Sequence, residues 1–254
     1  MTELFPLKPV NLLVARNATG KTRTIRAFLN VTSFLQMKKS FMDIRSFEAA
    51  LKFTSSEDAE WKMDYKFKIN NGIVEKEVLV VNEKMLINRS KTSAKYDTTK
   101  INPPSEKLVV QIRRDKELYP EIEQLMTWAD GVTSLSYSDI TPFTILDSGK
   151  FHNPYNFSDL VESLSQAEKQ EVLSVAKRLG YNIAQIKTVE ATKGIKLVQL
   201  KERSVTNEMT EMQLSSGMLR TLYLLCFISV IKQNKKLSML LIDDMGEGLD
   251  YRRS

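Results

Sequence analysis

Apolar residues recur along this chain with two different periods, and the change of period divides it. Val10-Asn-Leu-Leu-Val-Ala15 is a short, mostly apolar run that predicts a strand inside a sheet covered on both faces. A turn over residues 16–20 follows. From Lys21 to about Gln36 the apolar positions Ile25, Phe28, Leu29, Val31 and Leu35 recur at helical spacing. Beyond residue 45 the period drops to two. Phe47, Ala49, Leu51 and Phe53 alternate with polar or small residues, and Trp61, Met63, Tyr65, Phe67 and Ile69 alternate more cleanly. Asn70-Asn71-Gly72 marks a turn, Ile73 to Val81 reads as the returning strand, and Lys84 to Arg89 as another. The pattern predicts an antiparallel meander with one solvated face, inserted after the first helix.

Residues 90–106 are a polar connection, and Lys107 to Ile112 reads as a short strand. Tyr119 to Ala129 and Leu160 to Leu179 are helical, the second in two pieces with Ser165 as a cap. Ile183 to Val189 and Ile195 to Leu200 form a strand pair around Gly194. Leu214 to Lys232 is apolar nearly all round, which predicts a buried helix. Met239 to Ile242 is a compact apolar strand running into Asp243-Asp244. No internal repeat or heptad run interrupts this order.

Composition narrows the classes. The 254 residues carry 37 Lys+Arg against 31 Asp+Glu, with one Cys, one His and nine Gly. That is ample length for a buried core. One cysteine excludes a disulfide framework and a Cys-based zinc site, and one histidine excludes a His-cluster metal centre. The net charge of +6 leans weakly towards anionic partners. No segment reaches the roughly 20 apolar residues a membrane span needs, and the N-terminus lacks the order of a signal peptide. The expectation is a soluble, cytoplasmic protein.

The chemistry starts at Ala15-Arg-Asn-Ala-Thr-Gly-Lys21-Thr22, which follows a predicted strand and opens a predicted helix. A phosphate-binding loop requires that context. Backbone N–H groups of Asn17, Ala18, Thr19 and Gly20, with those opening the helix at Lys21, Thr22 and Arg23, would hold the β- and γ-phosphates. Lys21 would reach the phosphate oxygens and the Thr22 hydroxyl would bind Mg²⁺. Ala15 stands where the pattern expects Gly. Downstream, Met239-Leu-Leu-Ile-Asp243-Asp244 ends a buried strand in two carboxylates. Asp243 would sit beside the magnesium held by Thr22, and Asp244 would act as general base towards the attacking water.

Between them lies Leu214-Ser215-Ser216-Gly217-Met218, a helix start with Ser215 as N-cap. At this position the chain resembles the ABC-class ATPases, whose signature (commonly LSGGQ) precedes the second carboxylate motif. Within that class it is most similar to the SMC-like bacterial "AAA family ATPase" group, which includes overcoming-lysogenization and abortive-infection ATPases. Met245-Gly-Glu-Gly-Leu-Asp250 matches the loop after Walker B, with Gly248-Leu249-Asp250 as D-loop.

The resemblance implies an α/β P-loop NTPase head with an inserted antiparallel β lobe and a helical signature lobe. Its parts would be 1–40 for the phosphate-loop strand and helix, 41–115 for the β lobe, 116–213 for the helical lobe and strand pair, and 214–254 for the signature helix, Walker B and D-loop. It also implies a head-to-tail dimer with two sandwiched ATP molecules. Each would be held by Lys21 and Thr22 of one copy and by Ser215, Ser216 and Gly217 of the other, with Asp250 communicating between sites. The cofactors implied are ATP and Mg²⁺. A nuclease or toxin effector and nucleic acid are further partners, and a bacterial defence or DNA-processing assembly is the setting.

Three departures shape the alternatives. Asp244 stands where the family usually has Glu, shorter by one methylene. The single histidine, His152, lies mid-chain, whereas the family's switch histidine follows the D-loop. That makes a head incomplete at its C-terminus the expectation. Gln111 is a candidate Q-loop residue, with an exposed strand position as its plainer reading. A module that binds ATP but scarcely hydrolyses it is therefore the alternative function, and an ABC transporter ATPase a more distant one.

Overall fold

The computed structural model describes residues 6–13, 20–38, 45–54, 61–137, 140, 156–203, 205–233 and 237–245. The chain divides into two units, Met1–Arg26 with Thr133–Ser254, and Ala27–Val132. The second is thus a sequence insertion within the first, and the division falls inside the first helix, α1 (Lys21–Leu35).

The inserted unit is a six-stranded antiparallel meander in sequential order. Its strands are β1 (Ser46–Thr54), β2 (Lys62–Asn70), β3 (Ile73–Val81), β4 (Lys84–Ser90), β5 (Ala94–Tyr96) and β6 (Thr99–Ile101). Alternation carries through to burial: Met63, Tyr65, Phe67 and Ile69 of β2 face inward, while Lys62 and Lys66 face out. Asn71 (φ 47°) and Gly72 (φ 76°) adopt the left-handed conformations of a type I′ turn, which matches the twist of the strands it joins. Phe34 and Leu35 of α1, and Ile122, Leu125 and Met126 of α3 (Pro120–Asp130), complete a core on the inner face.

Two elements of this unit differ from the sequence reading. The polar stretch 90–106 contains the hairpin β5–β6, too short and too rich in Lys and Thr to register as strands. Lys107 to Ile112 is no strand; Val109–Ile112 is a single helical turn, α2. Its cause lies elsewhere in the chain. Glu77 of β3 accepts hydrogen bonds from the N–H of Val109 (2.6 Å) and Val110 (3.2 Å), two donors that a helix start leaves without internal partners. The Glu77 carboxylate is fully buried, accepts a third bond from the Tyr65 hydroxyl (3.0 Å) and lies 3.9 Å from the Arg89 guanidinium. α3, grouped above with the helical lobe, belongs to this unit.

The other unit holds α4 (Phe157–Ser163), α5 (Gln166–Arg178) and α6 (Ser216–Gln233). It also holds the three-stranded sheet β10-β9-β8 and the two-stranded pair β11-β7. Their bounds are β7 (Val132–Ser136), β8 (Ile183–Thr192), β9 (Ile195–Glu202), β10 (Glu208–Thr210) and β11 (Met239–Asp243). A break between α4 and α5 is imposed by Ser165. Its hydroxyl accepts from the Glu168 N–H while the Glu168 carboxylate accepts from the Ser165 N–H, a reciprocal capping box. α6 is buried on most of its circumference, as its composition predicts. Leu219, Leu222, Cys226 and Phe227 join Phe157, Leu160, Val172 and Val198 in the core.

The predicted first strand differs over its described part, Val14 and Ala15 lying outside the described residues. Residues 10–13 form no strand, and Val10 and Leu12 are 88% and 77% exposed. The Asn11 side chain accepts from the Lys8 N–H and donates to the Lys8 carbonyl, closing a local turn that competes with extension. The predicted carboxylate-ending strand is present as β11, whose partner among the described residues is β7.

Candidate functional site

The described part of the predicted phosphate loop begins at Gly20, whose φ of +99° lies in the region that only glycine enters without strain. Its carbonyl accepts the Thr24 N–H (3.0 Å) and hydroxyl (3.2 Å), so the chain turns directly into α1 at Lys21. Lys21 and Thr22 are half-buried and Arg23 is exposed. Asn17, Ala18 and Thr19 lie outside the described residues, as do His152 and Asp250.

Thr22 is the residue through which the predicted site assembles. Its hydroxyl donates to Asp243 Oδ1 at 3.3 Å across 221 positions of sequence. Two motifs read separately from the sequence, at the start of a helix and at the end of a strand, thus meet side chain to side chain. Asp243 is half-buried at the end of β11, and its Oδ1 also accepts the Asp244 N–H (3.1 Å). Asp244 itself is exposed, with a left-handed φ of 55° at a bend just past the strand.

The predicted signature starts α6. Ser215 Oγ accepts the Met218 N–H (3.3 Å) and the Ser215 carbonyl accepts the Leu219 N–H, the geometry of an N-cap. Ser215 and Ser216 are exposed while Gly217 is buried, so the polar groups at this helix start face outward. Leu214 follows a 3₁₀ turn, Glu211–Gln213.

Residues absent from the sequence reading tie these parts together. The Tyr137 N–H donates to the Asp243 carbonyl (3.0 Å), and the Tyr137 hydroxyl lies 3.4 Å from the Thr221 hydroxyl of α6. Thr221 in turn donates to the Gly217 carbonyl (2.7 Å). The Arg220 guanidinium rests 5.9 Å from the Tyr137 ring centroid and donates to the Ile140 carbonyl. A short path of contacts therefore joins the end of β11 to the first turn of α6 through Tyr137. The alternation Leu135, Tyr137 after Gly131 is the signal that would have found β7 and this residue.

A second overlooked residue is Glu211. It is fully buried; its Oε2 accepts the Val198 N–H (3.1 Å) and its Oε1 has no hydrogen-bond partner. Burial pushes its carboxyl up to about 7 against the smaller opposing effect of the Val198 bond. Its place, four positions before Ser215, is legible in the sequence; its burial is not. Gln111 is corrected in the opposite sense. It is buried rather than exposed, its Oε1 accepting the Leu108 N–H (2.8 Å) and its Nε2 donating to the Phe34 carbonyl (2.6 Å), so both ends of its amide are structural.

Among the described residues no group of three or more His, Cys, Asp or Glu side chains could hold a metal ion. The Thr22–Asp243 pair suits magnesium all the same. That ion takes one or two protein oxygen ligands and fills its shell with water and substrate phosphate oxygens.

Compared with known proteins, the chain matches no family model, no curated protein and no solved structure. The described molecule is a mixed α/β protein with a six-stranded antiparallel sheet, and none of its helices is long and apolar enough to cross a membrane, counted over the described residues.

Proposed function

We propose that this chain binds ATP with Mg²⁺ and hydrolyses it, as a P-loop ATPase of the ABC class that pairs head to tail with a second copy. The observation that carries this reading is the Thr22–Asp243 hydrogen bond. A chance Gly-Lys-Thr and a chance Asp-Asp have no reason to converge from opposite ends of the chain. Phosphoryl chemistry requires that convergence, because the loop hydroxyl and the strand-end carboxylate serve the same ion.

In this reading Lys21 neutralises the β- and γ-phosphate oxygens, and the N-terminus of α1 adds its partial positive charge. Thr22 and Asp243 hold Mg²⁺, which when bound neutralises the charge developing on the phosphate oxygens. Asp244, exposed beyond the strand end, accepts the proton of the attacking water. The outward Ser215 and Ser216 meet the nucleotide of the opposite copy. Tyr137 links the two motifs within one copy, so a shift at the signature is felt at Asp243. An effector such as a nuclease or toxin would read that dimer.

The position of Asp244 favours a second reading, in which ATP is bound and held but scarcely consumed. The carboxylate is one methylene shorter than the Glu of the ATPases the chain resembles and hangs from a left-handed residue, and rates are steep in such placements. Nucleotide binding and turnover separate the two. Lys21→Ala abolishes nucleotide binding on either reading and turnover on the first, and ATP turnover unchanged by it refutes the ATPase assignment. Asp243→Asn removes the Mg²⁺-dependent part of ATP affinity. Single-turnover hydrolysis by the purified chain excludes the gated module.

A further inference from the structure

The solvent face of the six-stranded sheet concentrates positive charge. Its register sets outward side chains into cross-strand rows. One row runs Ala50, Lys66, Val78, Asn88, Lys95, Lys100, a residue from each strand in turn. Its neighbour runs Glu48, Lys68, Lys76, Ser90. Lys66, Lys76, Lys95 and Lys100, with Lys62 further along β2, are exposed and have no ion pair among the described residues. Other carboxylates on this side are already matched. Asp64 meets Lys52 at 3.7 Å, and Glu75, beside the bulge of β3, meets Lys68 at 3.3 Å and Lys91 at 2.6 Å. Glu48 is the one acid in the two rows.

The face is also free of aromatic side chains. Phe47, Phe53, Tyr65, Phe67 and Tyr96 all belong to or pack against the core on the opposite side. A surface for single strands needs rings on which bases stack, and one for a bilayer needs aromatic or bulky apolar anchors. This face has no such rings, and its two exposed bulky apolar residues, Ile73 and Met85, stand at opposite ends of the β3–β4 hairpin rather than as a cluster. It offers lysine point charges on a flat support, spanning about 19 Å from Lys66 to Lys100 at ~4.8 Å per strand. Over that length a duplex presents a phosphate charge every ~1.7 Å of its axis. We propose that this face binds the phosphate backbone of double-stranded nucleic acid without reading its sequence. A flat sheet face does not enter a groove as a helix or a two-stranded ribbon does, so its lysines meet phosphates rather than base edges, and binding is electrostatic and falls steeply with salt. At one end of the longer row a cleft of about 720 Å³, lined in part by Ser90, Lys91, Thr92, Ser93, Lys100 and Asn102, adds hydroxyl and amide donors for phosphate oxygens.

The proposal stands apart from nucleotide binding and is tested without ATP. The full chain is titrated against a short labelled DNA duplex by fluorescence anisotropy between about 50 and 200 mM salt. Lys66→Ala, Lys95→Ala and Lys100→Ala combined are expected to weaken binding at least tenfold at the lowest salt. They should also flatten the log–log salt slope by about 2.7, at ~0.9 per phosphate contact. The control replaces three exposed cations of the other unit, Lys177, Arg178 and Lys232, and keeps the wild-type slope. All replaced residues are exposed, and an unchanged circular dichroism spectrum verifies the fold of each variant. A wild-type chain that ignores the duplex at low salt overturns the proposal. So do equal slopes for the two variants, or tighter binding to a single strand of the same length or to anionic vesicles.

Discussion

Replacing Glu211 with glutamine is expected to remove a pH dependence of stability that the structure assigns to one buried carboxyl group. Glu211 is fully buried, has one hydrogen-bond donor, the Val198 N–H, and leaves Oε1 without a partner. Ionising it there is unfavourable, and its carboxyl titrates at about 7 instead of the ordinary value of 4.5. The folded chain therefore still holds a proton that the unfolded chain has released across the window from about 4.5 to about 7. Stability falls as pH rises through that window and levels off above it. At 1.36 kcal/mol per pKa unit, the loss amounts to about 3 kcal/mol. Glutamine keeps an acceptor for the Val198 N–H and does not ionise, so this slope vanishes in the variant. The stability of Glu211→Gln relative to wild type should thus increase by about 3 kcal/mol between pH 4.5 and pH 8. Urea unfolding followed by far-ultraviolet circular dichroism measures it. Tryptophan fluorescence does not, because Trp61 and Trp128 both lie in the 27–132 unit. Other raised carboxyls cancel in the difference, Glu77 among them, since it shares no partner with Glu211. A difference between variant and wild type that stays constant with pH refutes the reasoning.

Glu77→Ala is expected to destabilise the 27–132 unit by roughly 3–5 kcal/mol, since it leaves Arg89 buried without its counter-charge and uncaps α2. Here tryptophan fluorescence is the right probe, and a loss below about 1 kcal/mol contradicts the cap. Gly20→Ala meets no neighbouring atom but forces a side chain onto a φ of +99°, so it costs at least about 1 kcal/mol and weakens nucleotide binding, read by calorimetry. Cys226 is buried in α6 with its thiol pushed up to about 12 by burial. It should resist thiol reagents at pH 8 until urea unfolds the chain, and rapid labelling of native protein would place it elsewhere.

Where local pattern and packing agreed, the elements could be read from the chain alone. Alternation in Trp61 to Ile69 could bury only one face, and Asn71-Gly72 could only turn. The capping box of Ser165 and Glu168 split a long helical run at the place its chemistry demanded. The all-apolar circumference of α6 left it nowhere but the core. Reading failed where a distant group decided. The 108–112 stretch holds three β-branched apolar residues, Val109, Val110 and Ile112, and it became a helical turn because Glu77, on strand β3, supplied the acceptors its N–H groups needed. Val10 to Leu13 has strand propensity, but among the described residues no strand pairs with it, and Asn11 bonds locally instead.

The candidate site divides the same way. Gly20, Lys21, Thr22, Ser215 and the Asp243–Asp244 pair suggested the proposed chemistry by residue type and order, because glycine geometry, hydroxyls and carboxylates announce themselves locally. That Thr22 reaches Asp243 was a matter of tertiary structure, since a 3.3 Å contact between ends of the chain depends on how β11 lies against the start of α1. The link through Tyr137 and the burial of Glu211 were decided there too. A side chain's type fixes what it can donate, accept or ionise, whereas its partners and its distance from water are properties of everything folded around it.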